Sequence, residues 1–446
     1  MLEHDKIEGN GCLELLDDLR IECTFTLHQH FDGALFLRCN CNDPAARFRL
    51  WASRGKPLGR LVGITMDGQI IRTAGPLRVS EINTTDCTLR ASSVIVGDET
   101  STPTEQQFTL TNVCFPETAS HDMPDHVRLT IPTDPEPVSI VLEPHDEYQE
   151  RERFQRRHGL TVPTAILRVS SRASISETSD LVGRLCTALS IVQGHKINWI
   201  THECRDQNQF SCYRNMADRV TKLPSWLALN RLSGNSLRLP LAAAQDCYTR
   251  VCQLEDQYSW NGPVLEVWLE ARSNADYIQT RSLKLVTVIE ALRTITLRSQ
   301  PLQPRLEPSA WDAFLGYIIP VTRYYLTDHL KISQERVDAM TTPERWRPMN
   351  RPSFRSEINA AFKALGVRES RRNIELFVNS RNKLIHEGTF RCQSEPAIVA
   401  AESDAPQTPV DEHFFIASFV DRVIMQAVGL QTYLNTNPER PKPDET

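Results

Sequence analysis

A chain of 446 residues with 40% hydrophobic and 24% charged side chains and a net charge of −6 has the make-up of an ordinary folded protein, long enough for two or three cores, and is neither disordered nor membrane-embedded by composition. No apolar run approaches the roughly 20 residues of a membrane span, and the opening "MLEHDKIEGNG" lacks the basic-then-apolar order of a secretion signal, so a cytoplasmic protein with no membrane partner is expected. The overall charge points to no particular partner.

From about residue 20 to 145 the text turns often. "RIECTFTLHQHFDGALFLRCN", "GRLVGITMDGQIIRTAGPLRV" and "DCTLRASSVIVGDE" carry β-branched runs broken by turn residues, which predicts a β-sandwich or barrel. Met66-Asp67-Gly68-Gln69 between apolar runs reads as a hairpin turn. "TAILRVS" and "INWITHE" read as strands, and "SETSDLVGRLCTALSIVQG" as an amphipathic helix from Ser176 to a stop at Gly194.

After about Pro240 helices dominate, with segments near 240 to 258, 263 to 272, 277 to 298, 309 to 329, 352 to 365, 369 to 387 and 411 to 435. The expected fold class is therefore α+β multidomain. A β-rich N-terminal domain with some α/β character spans 1–240, an all-α helical bundle spans 241–437, and a disordered tail spans 438–446. "QPLQPRLEP" should break the chain between helices, and the acidic, proline-bearing stretch 393–412 should be an exposed loop joining the last two. Between Gln279 and Arg391 basic side chains exceed acidic ones by roughly eight, an electropositive region suited to a polyanion such as RNA or to solvated helix faces.

One stretch carries chemistry. In "NSRNKLIHEG" Ile374, Phe377, Val378, Leu384 and Ile385 fall on one helical stripe with Arg381 near its middle, and Gly388 can terminate the helix. Arg381, Asn382 and His386 form an R-N-x-x-x-H motif in which Asn382 and His386 share a polar edge beside the stripe. Histidine moves protons near neutral pH, and an arginine fork matches two phosphate oxygens. The set suits phosphodiester cleavage without a metal, the RNA 2′-hydroxyl attacking its own 3′-phosphate. Two looser Arg-to-His spacings, at Arg153 to His158 and Arg323 to His329, lack the asparagine and the clear stripe.

Other candidates are weaker. His28 and His30, and His121 and His126, lack a third ligand at metal spacing. Cys39 and Cys41, with one residue between them, are expected on opposite faces of a strand, and the twelve cysteines contain no CxxC pair. "HECRDQNQFSC" reads as a loop with buried thiols, and "ERERFQRRHG" as a solvated helix face. No P-loop, GxSxG or GxGxxG opens a helix after a strand, so no metal and no cofactor is expected.

"FVNSRNKLIHEG" resembles the signature of HEPN domains, which are compact helical bundles. The preceding "SFRSEINAAFKALGV" and following "FVDRVIMQAVGLQTYL" resemble the Apea-like HEPN subgroup, over about residues 265 to 435. A β-rich domain ahead of such a bundle further resembles ApeA-type anti-phage proteins. The resemblance implies a metal-independent endoribonuclease working as a homodimer, its cleft formed between two HEPN domains. It implies Arg381 and His386 as the catalytic pair with Asn382 beside them, and a defence role by abortive infection. There a toxic ribonuclease is held inactive until phage infection, with a phage-derived trigger met at the N-terminal domain, and then cuts host RNA, commonly tRNA. Neighbouring basic side chains, Lys383 among them, would hold the RNA backbone.

Two readings of the residues stay open. Arg381 could instead pair with a buried acid for structure, with His386 meeting the helix dipole. "SLKLVTVIEALRTITL" is apolar on nearly every side, so Glu290 is expected to be buried, paired either with Arg381 as its support or with the local Arg293. A non-catalytic HEPN module binding RNA, nucleotide or protein is the alternative function.

Overall fold

The computed structural model describes residues 3–16, 20–30, 34–41, 43–52, 56–83, 86–100, 103–115, 126–158, 161–171, 173–204, 210–214, 241–272, 276–298 and 302–434. An antiparallel β-sheet region comes first and helices follow, as the sequence predicts at that level. The tail at 438–446, residues 215–240 and His121 lie outside the described residues.

The described strands are β1 (Glu3–Leu15), β2 (Arg20–His30), β3 (Leu35–Asn40), β4 (Gly59–Thr65), β5 (Ile70–Ala74), β6 (Arg78–Ile82), β7 (Asp86–Arg90), β8 (Ser93–Val96), β9 (Glu105–Thr111), β10 (Val127–Ile131), β11 (Val138–Pro144), β12 (Pro163–Ser170), β13 (Trp199–Cys204) and β14 (Phe210–Arg214). Helices α1 (Pro44–Ala52), α2 (Tyr148–His158) and α3 (Ile175–Gln193) interrupt them. They form one sheet in the order β10-β11-β12-β9-β13-β14-β8-β5-β4-β1-β2-β3-β7-β6. Among the described strands hydrogen bonding runs continuously from β10 to β6, with no pairing between those two ends. The long β1 pairs with β2 on one side and β4 on the other. The β1/β4 approach needs glycine: a Cβ on Gly63 would sit 2.6 Å from the Asn10 carbonyl oxygen.

Local signals explain most boundaries. The β4–β5 turn closes where the Thr65 N–H donates to the Gln69 carbonyl at 2.8 Å and Gly68 takes φ +88°. Helix α3 starts at Ile175, one residue before the expected Ser176, because Ser174 caps it and Glu177 returns a hydrogen bond, a full capping box. It ends at Gly194 in the left-handed region, as read.

Several sequence expectations are corrected in this region. Cys39 and Cys41 share a face, both essentially fully buried, because strand side chains alternate with period two. Contacts with the Cys23 and Cys87 thiols, then burial, hold the Cys39 thiol well above its ordinary value. "HECRDQNQFSC" contributes to a hairpin, β13 pairing with β14, rather than a loop. "ERERFQRRHG" is not wholly solvated: Arg151 is buried on α2, donating to Glu147 at 3.0 Å and to the Pro163 carbonyl at 3.2 Å.

The chain divides into two compact units. The first holds 1–257, 265–281 and 428–446, and the second 258–264 and 282–427. Helix α4 (Ala243–Tyr258), expected to open the all-α part, packs mostly with the sheet unit. Its Gln245 accepts from the Thr130 N–H at 2.7 Å and its Asp256 from Arg184.

The second unit is built from α-helices. After α5 (Val267–Ala271) in the first unit come α6 (Ile278–Leu297), which enters the second unit at Ser282, α7 (Pro308–Tyr324), α8 (Gln334–Met340), α9 (Pro343–Trp346), α10 (Phe354–Leu365), α11 (Arg371–Glu387), α12 (Arg391–Ser394), α13 (Pro396–Ala401) and α14 (Pro409–Ala427). Phe377 of α11 stacks on Phe419 of α14 at 4.5 Å, and Phe362 of α10 closes on the same ring at 6.0 Å. The stretch 393–412 is not a plain exposed loop. Its end, the buried Glu412, accepts the Arg391 and Cys392 N–H groups at 3.0 Å each, capping α12 with a carboxylate, while buried Arg391 donates to Glu402 at 2.6 Å.

His202 on β13 gives the sheet unit a pH dependence. The ring is fully buried and stacked on Phe108, and burial with the nearby Arg214 charge lowers its pKa to about 3. The group is therefore neutral in the folded state while the unfolded state takes up a proton below about pH 6.5. Its contribution is complete above that pH and declines as pH falls toward 3. In urea unfolding of wild type against His202→Asn, the stability advantage of wild type should shrink by about 2 kcal/mol from pH 7 to 5. An unchanged gap would contradict the assignment.

Candidate active site

Helix α11 carries the motif. It begins where the Ser370 hydroxyl accepts from the Asn373 N–H at 3.0 Å and ends at Gly388, which takes φ +68° and donates to the Leu384 carbonyl at 3.2 Å. The buried face is Ile374, Leu376, Phe377, Ser380 and Leu384, while Ile385 is 43% exposed and Val378 half-buried. The expected stripe therefore shifts by part of a turn. Arg381 sits at the edge of the buried face rather than its middle, with its side chain 18% exposed.

The partner of Arg381 is Glu290 on α6. The Nε and Nη2 groups of Arg381 donate to Glu290 Oε1 at 2.7 and 2.5 Å, and Nη1 donates to Asn382 Oδ1 at 2.9 Å. The Phe354 ring of α10 lies 4.3 Å from the guanidinium carbon. Glu290 is half-buried rather than enclosed, and it answers both arginines: its other oxygen is 3.3 Å from Arg293, which also donates to Glu357 at 2.7 Å. Three helices thus converge on one guanidinium.

A guanidinium has five N–H donors, and three are engaged here. One N–H on each of Nη1 and Nη2 remains for an incoming oxygen. Asn382 and His386 are exposed, and among the described residues no group hydrogen-bonds the His386 ring. Around the helix axis His386 lies about 140° from Arg381 and about 40° from Asn382. The arrangement presents a cation at a seam and a free imidazole on the adjoining face.

Lys383 is less available than its sequence position implied. Its ammonium contacts Glu387 at 2.6 Å and Glu395 at 3.0 Å, and these two bonds hold its pKa above the ordinary value. The decoys separate as well, since Arg323 pairs with Asp338 at 3.3 Å while His329 stacks on Tyr325.

One Ser–His contact was not anticipated. The Ser179 hydroxyl is 3.0 Å from His202 Nδ1, and His202 Nε2 is 2.8 Å from Gln106 Oε1. Gln106 spends its own N–H groups on Thr178 and Ala173, which places the imidazole proton on Nε2. The pairing of β9 with β13 brings Gln106 to His202, and the packing of α3 on β13 brings Ser179, so no local pattern could reveal them. With pKa about 3 and full burial, His202 is a weak base held for structure. Among the described residues no group of three or more His, Cys, Asp or Glu side chains is placed to hold a metal ion. His28 lies on β2, and the side chain of His30 lies outside the described residues.

Compared with known proteins, the chain matches no family model, no curated protein and no solved structure.

The Glu290–Arg381 contact has a measurable energy. Both groups are half-buried, so a double-mutant cycle of Arg381→Ala with Glu290→Ala should give a coupling of about 1–3 kcal/mol in chemical unfolding. Additive losses would show that the pair does not hold the helices.

Proposed function

We propose that the helical unit is a HEPN-type endoribonuclease site of the Apea-like kind, and that it cuts RNA by attack of the 2′-hydroxyl. The observation that carries this reading is the held guanidinium of Arg381, with two N–H donors left over and an unengaged, exposed His386 on the same helix. In this reading Glu290 and Phe354 fix Arg381, and Arg381 donates to the nonbridging oxygens of the scissile phosphate. His386 takes the 2′-hydroxyl proton as the O2′–P bond forms. The P–O5′ bond breaks, the 5′-oxygen receives a proton, and a 2′,3′-cyclic phosphate remains. Asn382 orients the arginine, to which it is already hydrogen-bonded.

The wide angle between Arg381 and His386 supports a site completed by a second copy, whose histidine would reach the same phosphate from across the cleft. Helix α7 supports association too. Tyr317, Val321 and Tyr324 lie exposed at i, i+4 and i+7, an apolar face that water solvates poorly. In the cell the substrate would be host RNA such as tRNA. The sheet unit would respond to a phage-derived trigger, and the outcome would be abortive infection.

A non-catalytic module binding RNA or protein is favoured by one feature, the neutralisation of Arg381 and Lys383 by carboxylates in the resting chain. Incubating purified protein with tRNA in EDTA separates the two. Under activating conditions wild type should cleave, while Arg381→Ala and His386→Ala should each be slower by at least about 10²-fold. Cleavage persisting in both variants removes the active-site assignment, and tight RNA binding without cleavage by any form favours the module.

A further inference from the structure

The ion pairs of the helical unit are unevenly distributed. Arg293, Arg323, Arg355, Arg372 and Arg381 each have a carboxylate within 4 Å. Among the described residues no carboxylate pairs with Arg305, Arg345, Arg347 or Arg351, and all four are exposed. Three of them fall within Pro343–Arg351, "PERWRPMNR", where Glu344 is the one acid.

This segment is held in place. Asn350 is 8% exposed, its Oδ1 accepts from the Leu306 N–H at 2.7 Å, and its Nδ2 donates to the Leu306 carbonyl at 2.9 Å. Its own carbonyl accepts the Arg305 N–H at 2.9 Å. The three bonds pin residue 305 against residue 350 across the intervening helices, so Arg305 lies beside the segment that carries the other three arginines. Pro343, Pro348 and Pro352 stiffen the backbone further. A cluster of like charges repels itself, and a fold that fixes such a cluster without counterions presents it to an anion.

The segment also leads to the candidate active site. Arg351 is three residues before Phe354, so their Cα atoms are at most about 11 Å apart. Phe354 is the ring against which Arg381 is held.

We propose that Arg305, Arg345, Arg347 and Arg351 form the surface that grips the RNA phosphate backbone beside the cleavage site, in place of the carboxylate-bound Lys383. This rests on the ribonuclease reading. Arginine suits the task, because its fork meets phosphate oxygens in pairs and stays charged at every working pH.

The test measures tRNA binding by fluorescence anisotropy over a salt series, using full-length His386→Ala so that substrate stays intact. Adding Arg345→Gln, Arg347→Gln and Arg351→Gln should weaken binding at least about tenfold near 0.1 M salt and lower the log–log salt slope by about 2. A charge-matched control, Lys363→Gln with Arg368→Gln and Arg371→Gln, should leave both nearly unchanged. All six positions are exposed, and equal melting temperatures verify folding. Unchanged binding by the triple variant, or equal loss in the control, overturns the surface while leaving the ribonuclease reading intact. Failure of the His386→Ala parent to bind tRNA overturns both.

Discussion

The helical unit depends on how one cation is kept at a half-buried seam. Arg381 has an acceptor on two of its nitrogens from Glu290, a third acceptor from Asn382, and an aromatic face from Phe354. Removing a guanidinium from water costs several kcal/mol unless such partners replace the lost hydration. Because α6, α10 and α11 each supply one part, their mutual placement and the charge state of the site are a single problem. Glu290 binds two arginines at once, and the Arg293 arm continues to Glu357 on α10. The outcome is an arginine held by three partners with two N–H groups unengaged, the state that the proposed phosphate clamp requires before substrate arrives.

The same logic separates structural charges from available ones. Arg391, Glu412 and Glu402 are spent on capping and closing the short helices after Gly388, and Lys383 is spent on Glu387 and Glu395. The exposed arginines at 305, 345, 347 and 351 have no such engagement among the described residues. A positive local charge count in the sequence cannot distinguish these cases. Only the partners do.

What the sequence made legible was what is local. The Gly388 stop, the Gly194 stop, the Met66–Gln69 hairpin and most helix spans follow from capping, turn chemistry and periodicity, all short-range effects. The stripe on α11 was placed part of a turn off because Ser380, small enough to be covered, takes an inward position that hydrophobicity alone gives to Ile385. The strand order of the sheet, the pairing of Cys39 with Cys87 and the His202 contacts depend on strand pairing across long separations, whereas the shared face of Cys39 and Cys41 follows from period-two alternation and was misread. Arg151 reads as solvent-facing beside its charged neighbours, yet the Pro163 carbonyl lies 3.2 Å away and the side chain is buried. Both pairings considered for Glu290 occur, since a carboxylate has two oxygens and the helices bring an arginine to each.

The central claim is a reaction class, and the chemistry of the RNA ends tests it most directly. RNA should be isolated from cells after the protein is induced together with phage, and the new 3′ ends characterised by their resistance to ligation before and after phosphatase and cyclic-phosphate-opening treatment. The account predicts 2′,3′-cyclic phosphate paired with 5′-hydroxyl, since the nucleophile is the RNA's own 2′-hydroxyl. New ends with 3′-hydroxyl and 5′-phosphate would contradict it, because they require water to attack the phosphate and leave no role for the Arg381–His386 arrangement as derived.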